Sequence, residues 1–268
     1  NLQILKNYNN FRFVKGDILN GSLLDSLCDN VEIIYHEAAV AGVRASIKNP
    51  VKYFEINVLG TLHILETARK KSVKKVVYAS SSSVYGNVPK EDLPLNESIP
   101  TRPISPYGLS KLQGEELCNL YSNIYGLKTV CLRYFTVYGP RQRPDEAITK
   151  FIIRILKDEH IEIYGDGNQT RDFTYISDII SGTILAAEKG EGVYNLGSGK
   201  SITINELVEV ISKIVGKKPK VIHVAKQIGD VEHTLADITK AETELGYKPK
   251  MSLEDGVRNH VEWCIENV

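Results

Sequence analysis

Within the stretch SPYGLSKLQGEEL, residues 105–117, Tyr107 stands four residues ahead of Lys111. A phenol titrates near 10, so it acts as a general base close to neutral pH only where something favours its phenolate. Residues four apart share one face of a helix, and a positive charge nearby lowers a phenol's pKa. The spacing therefore suggests a tyrosine base made acidic by a lysine. Two side chains on an exposed helix would show the same spacing, and the pair alone does not choose between these readings. Of the fourteen tyrosines, only Tyr107 has a lysine at i+4.

Such a pair needs elements to hold it. Helical periodicity runs from Tyr107 to about residue 125 and again over 50–71, while short apolar runs at 31–39, 74–82, 128–135 and 192–199 read as buried strands. This alternation predicts an α/β fold, a Rossmann-type parallel sheet with helices on both faces. Beyond Gly139 come a polar loop, GPRQRPDE, a helix, AITKFIIRILKDE, and a strand and turn, IEIYGDGNQTRDFTYISD. Helices over about 205–215 and 253–266, with KPKVIHV as a strand between them, complete the pattern. The expected division is a first domain over 1–139 and a smaller C-terminal α/β domain over 140–268, with 172–199 partly returning to the first sheet.

Composition narrows the function classes. The 268 residues are 42% hydrophobic and 25% charged, with 33 basic and 33 acidic side chains. No basic arm or stripe exists to hold nucleic acid. Cys28, Cys118, Cys131 and Cys264 show neither metal-ligand nor disulfide spacing and lie in apolar segments, which predicts free buried thiols in a reducing compartment and no metal. No apolar run reaches membrane-spanning length. A cytoplasmic enzyme without membrane attachment is the expectation.

In a doubly wound sheet the ligands sit at the carboxyl ends of the strands, and a dinucleotide's pyrophosphate needs a glycine-rich turn into the first helix. The N-terminal stretch NLQILKNYNNFRFVKGDI contains no such turn and reads as a short helix or loop leading into a strand that ends at Gly16–Asp17–Ile18. That suits the third strand of a dinucleotide domain, and implies that a first βαβ unit of about 40 to 50 residues precedes residue 1.

Eight stretches carry a resemblance: GDI (16–18), HEAAVAGVR (36–44), NVLGT (57–61), ASSSSVYG (79–86), SPYGLSK (105–111), RYFTVYGPRQRPD (133–145), GDGNQTRDFTYISD (165–178) and NLGSG (195–199). In this order and spacing they resemble the extended short-chain dehydrogenase/reductase family, in particular its NAD-dependent UDP-sugar 4-epimerases. The resemblance implies that Tyr107 takes the proton of the sugar 4-hydroxyl, that Ser81 aligns that hydroxyl, and that Lys111 holds the nicotinamide ribose. It places Asp17 and Ile18 at the adenine, Ala38 and Ala39 beneath the dinucleotide, and Asn57 and Tyr134 beside it. Arg143, Tyr164 and Arg171 would meet the nucleotide half of a UDP-sugar, and Arg141 reads as a solvated charge. The family also implies a homodimer, paired through a four-helix bundle of the 50–71 and 107–125 helices.

Two departures bear on the substrate. Dehydratases of the family carry an Asp–Glu pair after the catalytic hydroxyl residue, where this chain has Ser82 and Ser83, leaving no acid to protonate a departing hydroxyl. Thr136 stands where many UDP-glucose epimerases have Asn. Together with FTVYGP, RPD and AGVR, these hydroxyls resemble the UDP-glucuronate epimerases, with Ser82, Ser83 and Thr136 as neutral donors to a sugar carboxylate and Arg44 as a long-range attraction. UDP-glucose remains the alternative sugar, and an inactive binding or scaffold relative the alternative class. Gln227 replaces a diphosphate-binding arginine, for which Lys226 is the candidate substitute.

Overall fold

The computed structural model describes residues 2–268. The chain begins with a short helix α1 (Leu2–Leu5) and, after an extended stretch, α2 (Gly21–Leu27). Strand β1 (Ile33–His36) leads through α3 (Val43–Lys48) into one continuous helix. That helix is made of α4 (Pro50–Phe54), a π-helical turn (Glu55–Leu59) and α5 (Gly60–Lys70). Strand β2 (Lys75–Ser81) and two 3-10 turns (Ser82–Val84 and Lys90–Asp92) precede the long helix α6 (Pro106–Tyr125) and β3 (Lys128–Tyr134). Then follow β4 (Thr136–Tyr138), α7 (Ala147–Leu156), β5 (His160–Tyr164), β6 (Thr170–Arg171), β7 (Phe173–Tyr175), α8 (Ile176–Lys189) and β8 (Gly192–Leu196). The chain closes with β9 (Ile202–Thr203), α9 (Ile204–Val215), β10 (Lys220–Val224), a π-helical turn (Ala241–Leu245) and α10 (Leu253–Asn267).

The principal sheet is parallel, with order β1-β2-β3-β8. Its strands are apolar on both faces because both are covered. Leu65, Ala68, Cys118 and Tyr121 from α5 and α6 pack on one side. Ile179, Ala186 and Ala187 from α8, with Leu245 and Tyr247, pack on the other. A third core, containing Phe151, Ile152, Leu207, Ile211, Val257 and Val261, joins α7, α9 and α10 around β5 and β7. Smaller pairs complete the layers: β5 with β10 and β4 with β7 in parallel, β6 with β9 antiparallel.

The strand expected over 11–18 does not form. Residues 11–17 run as an extended, mostly exposed stretch with no ladder to another strand. A strand exists by pairing its N–H and C=O groups with a neighbour, and among the described residues this stretch has none. No helix among the described residues is long and apolar enough to cross a membrane. All four cysteines are free and buried.

Candidate active site

Helix α6 starts where local chemistry says it should. The Ser105 hydroxyl caps it by accepting from the Gly108 N–H at 3.0 Å, and Pro106, which has no N–H to lose, takes the first helical position. At the other end Gly126 stops it in the left-handed conformation, φ 67°. The capped first turn carries Tyr107 to the carboxyl end of β2, where Ser81 ends its strand. The Ser81 oxygen accepts the Ser83 N–H at 3.1 Å, so its hydroxyl is fixed by the turn that follows.

Ser81 and Tyr107 line a cleft of about 1020 Å³, together with Ala39, Ser82, Ser83, Tyr134, Thr136, Arg143, Tyr164 and Arg171. The residues named for the substrate are thus brought together, from the 3-10 turn after β2, from β4, from the loop before α7, and from β5 and β6. That volume suits a ligand of nucleotide-sugar size.

The electrostatics differ from the sequence expectation at one point. Burial pushes the Tyr107 phenol up; a hydrogen bond with Ser81 pulls it back, Glu146 raises it further and Arg143 lowers it. The phenol is thus less acidic than a free one, and the expected lowering by the lysine is not seen. Instead the Lys111 Nζ donates to the Ala79 carbonyl oxygen at 2.6 Å and lies 5.0 Å from the centre of the Tyr78 ring. Burial lowers its pKa to about 8, with Glu37 acting in the opposite direction. A strand-end carbonyl wins the ammonium because it is a fixed acceptor in a desolvated place.

The cofactor candidates fall into two groups. Ala39 and Tyr134 reach the cleft. Ala38 lies exposed just before it, in the loop leaving β1. Asn57 sits in the π-helical turn and holds that loop: its side chain accepts from the Val40 N–H at 2.8 Å and donates to the Val40 oxygen at 3.0 Å and to the Ser110 hydroxyl at 2.9 Å. It shapes the loop, and both of its amide hydrogens are committed to protein acceptors. Asp17 and Ile18 are not among the cleft residues. The Asp17 carboxylate caps the Leu19 N–H at 2.9 Å, and the Ile18 side chain fills the space over Gly60 on α5.

Arg171 is half-buried, and its guanidinium donates to the oxygens of Thr170, Glu232 and Val231 at 2.8, 3.0 and 2.6 Å. It forms no ion pair among the described residues, and burial, with Arg44 nearby, lowers its pKa. Arg44 plays a closer part than long-range attraction. Its guanidinium stacks 3.9 Å from the centre of the Tyr164 ring and pairs with Asp230 at 2.7 Å, joining the two walls of the cleft. Arg143 is held by Glu146 at 2.5 Å and Asp145 at 3.4 Å. Exposed Arg141 adopts a left-handed φ of 67° at the cleft rim. Lys226 is turned to Glu232 at 2.7 Å and is not among the residues lining the cleft.

Sequence reasoning missed Glu37 and Gln142. The Tyr134 hydroxyl donates to Glu37 at 2.9 Å, and burial raises the Glu37 pKa, opposed by Tyr134 and Lys111. An acid directly after a buried strand, in HEAA, was the available signal. Gln142 ties the arginine loop down, donating to the Val137 oxygen at 2.8 Å and accepting from the Thr149 hydroxyl at 2.8 Å. Among the described residues no cluster of His, Cys, Asp and Glu has the arrangement of a metal site.

A family profile described as GDP-mannose 4,6 dehydratase matches residues 1–260. A UDP-glucuronate 4-epimerase of Thermodesulfobacterium geofontis is 42% identical over 272 residues, spanning 100% of this chain and 83% of that protein. A putative UDP-glucose 4-epimerase of Methanocaldococcus jannaschii is 42% identical over 260 residues, spanning 95% and 84%. The solved UDP-glucuronic acid 4-epimerase from Bacillus cereus, in complex with UDP-glucuronic acid and NAD, superposes with a TM-score of 0.94 at 38% identity, covering 99% of this chain and 85% of that one.

Proposed function

The chain belongs to the GDP-mannose 4,6 dehydratase family of extended short-chain dehydrogenase/reductases, and on that premise we propose that it is an NAD-dependent UDP-sugar 4-epimerase acting on UDP-glucuronate. The observation that carries this is the convergence of Ser81 and Tyr107 on one cleft with three neutral hydroxyl residues, Ser82, Ser83 and Thr136.

The residues present fit the cofactor. Lys111 has three donors and one protein acceptor, so its buried ammonium keeps capacity for a ribose diol. The small side chains of Ala39, Ala41 and Gly42 leave room for close approach along the loop after β1. NAD, when bound along this loop and at Lys111, would supply the hydride acceptor and donor needed at the sugar C4. The protein's part is orientation and proton transfer. Ser81 holds the 4-hydroxyl, Tyr107 removes its proton and later restores it, and the cleft keeps the 4-keto sugar while it turns over. Burial keeps the resting phenol neutral, and a positive charge brought in with the cofactor would make it a base.

For the sugar, Ser82, Ser83 and Thr136 offer neutral donors to a C6 carboxylate. They anchor it more weakly than a forked guanidinium would, which suits a ring that must rotate. Arg171 would take the diphosphate, and Tyr164 would stack on the uracil. UDP-glucose remains the second reading, favoured by the likeness to the Methanocaldococcus jannaschii protein. The four free, buried thiols support a reducing, cytoplasmic setting. A dinucleotide half over 1–139 and a substrate half over 140–268, with 172–199 partly in the first, remain our proposed division. The addition of β8 to the principal sheet supports it. Exposed Val51 and Leu59 on one helix and Leu109, Leu120 and Ile124 on α6 support the four-helix homodimer. A monomeric mass in solution would sink that assembly.

The test is to supply NAD with UDP-glucuronate or UDP-glucose and resolve the products chromatographically. Conversion of the uronate, reduced about 10²- to 10⁴-fold in Tyr107→Phe, is expected. Conversion of glucose alone would reduce the three hydroxyl residues to packing. Conversion of neither would restore the scaffold alternative.

A further inference from the structure

Beneath the candidate site lies a buried ionic network that the proposed chemistry does not use. The Arg133 guanidinium grips the Glu115 carboxylate in a fork: Nε donates to Oε1 at 2.9 Å and Nη2 to Oε2 at 2.7 Å, with both side chains about 5% exposed (6% and 5%). The Ser80 hydroxyl donates to the same carboxylate. Arg133 also lies 4.7 Å from the centre of the Tyr85 ring, and the Tyr85 hydroxyl donates to Asn195 Oδ1 at 2.7 Å.

The placement is systematic. Ser80, Arg133 and Asn195 are register partners across β2, β3 and β8. The next row up is Ser81, Tyr134 and Leu196, of which Ser81 and Tyr134 face the cleft. The fourth member, Glu115, sits on α6 one turn beyond Lys111 and two beyond Tyr107, on the same helix face. So the network joins the helix that carries the phenol to the strand that carries the serine hydroxyl, one residue before Ser81 and two helical turns beyond Tyr107. A buried ion pair is a poor stabiliser, since desolvation cancels much of its attraction, and apolar replacements of similar volume often do as well. What a fork with fixed geometry supplies is register.

We propose that the Ser80–Glu115–Arg133 network is a positioning device that sets the separation between the Ser81 hydroxyl and the Tyr107 phenol. This rests on the epimerase reading for its kinetic consequence, while the geometry stands apart from it. Displacement of a reacting group by about 1 Å costs on the order of 10²-fold in rate, whereas Glu115 and Arg133 do not line the cleft, although Ser80 does, so their replacement leaves the substrate contacts in place.

The test uses the whole chain and two variants. Glu115→Gln combined with Arg133→Met removes both charges together, so neither is left buried alone. Ser80→Ala cuts the link to β2 and spares the ion pair. Two readings are taken: kcat and KM on the UDP-sugar, and the ¹³Cζ shift of Tyr107 at neutral pH, assigned by its loss in Tyr107→Phe. The double variant is expected to lose about 10- to 100-fold in kcat with KM little changed and the Tyr107 signal displaced, and Ser80→Ala to move both readings less, in the same direction. A folded double variant with unchanged kcat and an unchanged Tyr107 signal would overturn the proposal. Should it fail to fold, an unchanged Ser80→Ala would do so. If the wild type converts no UDP-sugar, the epimerase reading fails, and the Tyr107 signal still decides the positioning.

Discussion

Lys111 is the most consequential single side chain because its charge is held where charge is expensive. An ordinary lysine titrates near 10.4, and here burial brings the folded value to about 8. Below pH 8 both folded and unfolded chains carry the proton, and the folded chain bears the cost of burying it. Between about 8 and 10.4 the unfolded chain binds more protons, so this residue's contribution to stability rises with pH and is complete once both states are neutral. Lys111→Met removes the group. Denaturant titrations should therefore show the stability of wild type relative to the variant rising by about 3 kcal/mol across that window. A flat difference would mean that the ammonium is solvated. The role of Lys111 was only half legible in the sequence. Spacing of four gave the shared helix face, but the choice between the phenol and the Ala79 carbonyl depends on how far β2 extends alongside α6. No local pattern encodes that.

At the scale of elements, the seating of α6 on β2 decides whether the phenol meets the serine. Gly114 makes that seating possible: a Cβ there would lie 2.1 Å from the Tyr78 hydroxyl oxygen, on a fully buried ring whose hydroxyl donates to the Lys111 carbonyl oxygen at 3.3 Å. In an exposed helix, Gly→Ala gains roughly 1 kcal/mol. Here Gly114→Ala must push the helix from the strand, and overpacking of this kind costs about 1–3 kcal/mol. The expected outcome is a lower Tm with a disproportionate fall in kcat; a variant as stable and active as wild type would show that α6 adjusts freely. The extent of α6 was readable to within a residue from its periodicity, and the four strands of the main sheet from their apolar runs. The two- and three-residue strands β4, β6, β7 and β9 were not, since so short a run has no period to detect. The strand expected over 11–18 failed for the complementary reason: its apolar residues were suitable, but pairing belongs to a neighbour and not to the segment.

For the whole molecule, equal numbers of acidic and basic side chains remove any net field, so attraction of an anionic substrate must come from local arrangement. Besides exposed Arg141 at its rim, the cleft contains three guanidiniums in different states. Arg44 is committed to Asp230 and Arg143 to Glu146, whereas Arg171 is held only by backbone oxygens. Neutral acceptors orient a guanidinium without cancelling its charge, and its desolvation makes a diphosphate a better partner than water. A contact with a part of the substrate remote from C4 is made equally in the ground and transition states, so its loss appears in KM and leaves kcat alone. A hydrogen bond to a charged group contributes about 1.5–3 kcal/mol, so Arg171→Met should raise KM by roughly 10- to 100-fold at unchanged kcat. Arg171→Lys, which keeps the charge and loses the fork, should fall between. Added salt should weaken the dependence on this residue modestly, because a pair inside the cleft is less screened than one on the surface. A fall in kcat at constant KM would place Arg171 near the reacting carbon, and the assignment of β5 and β6 as the nucleotide wall would have to be abandoned.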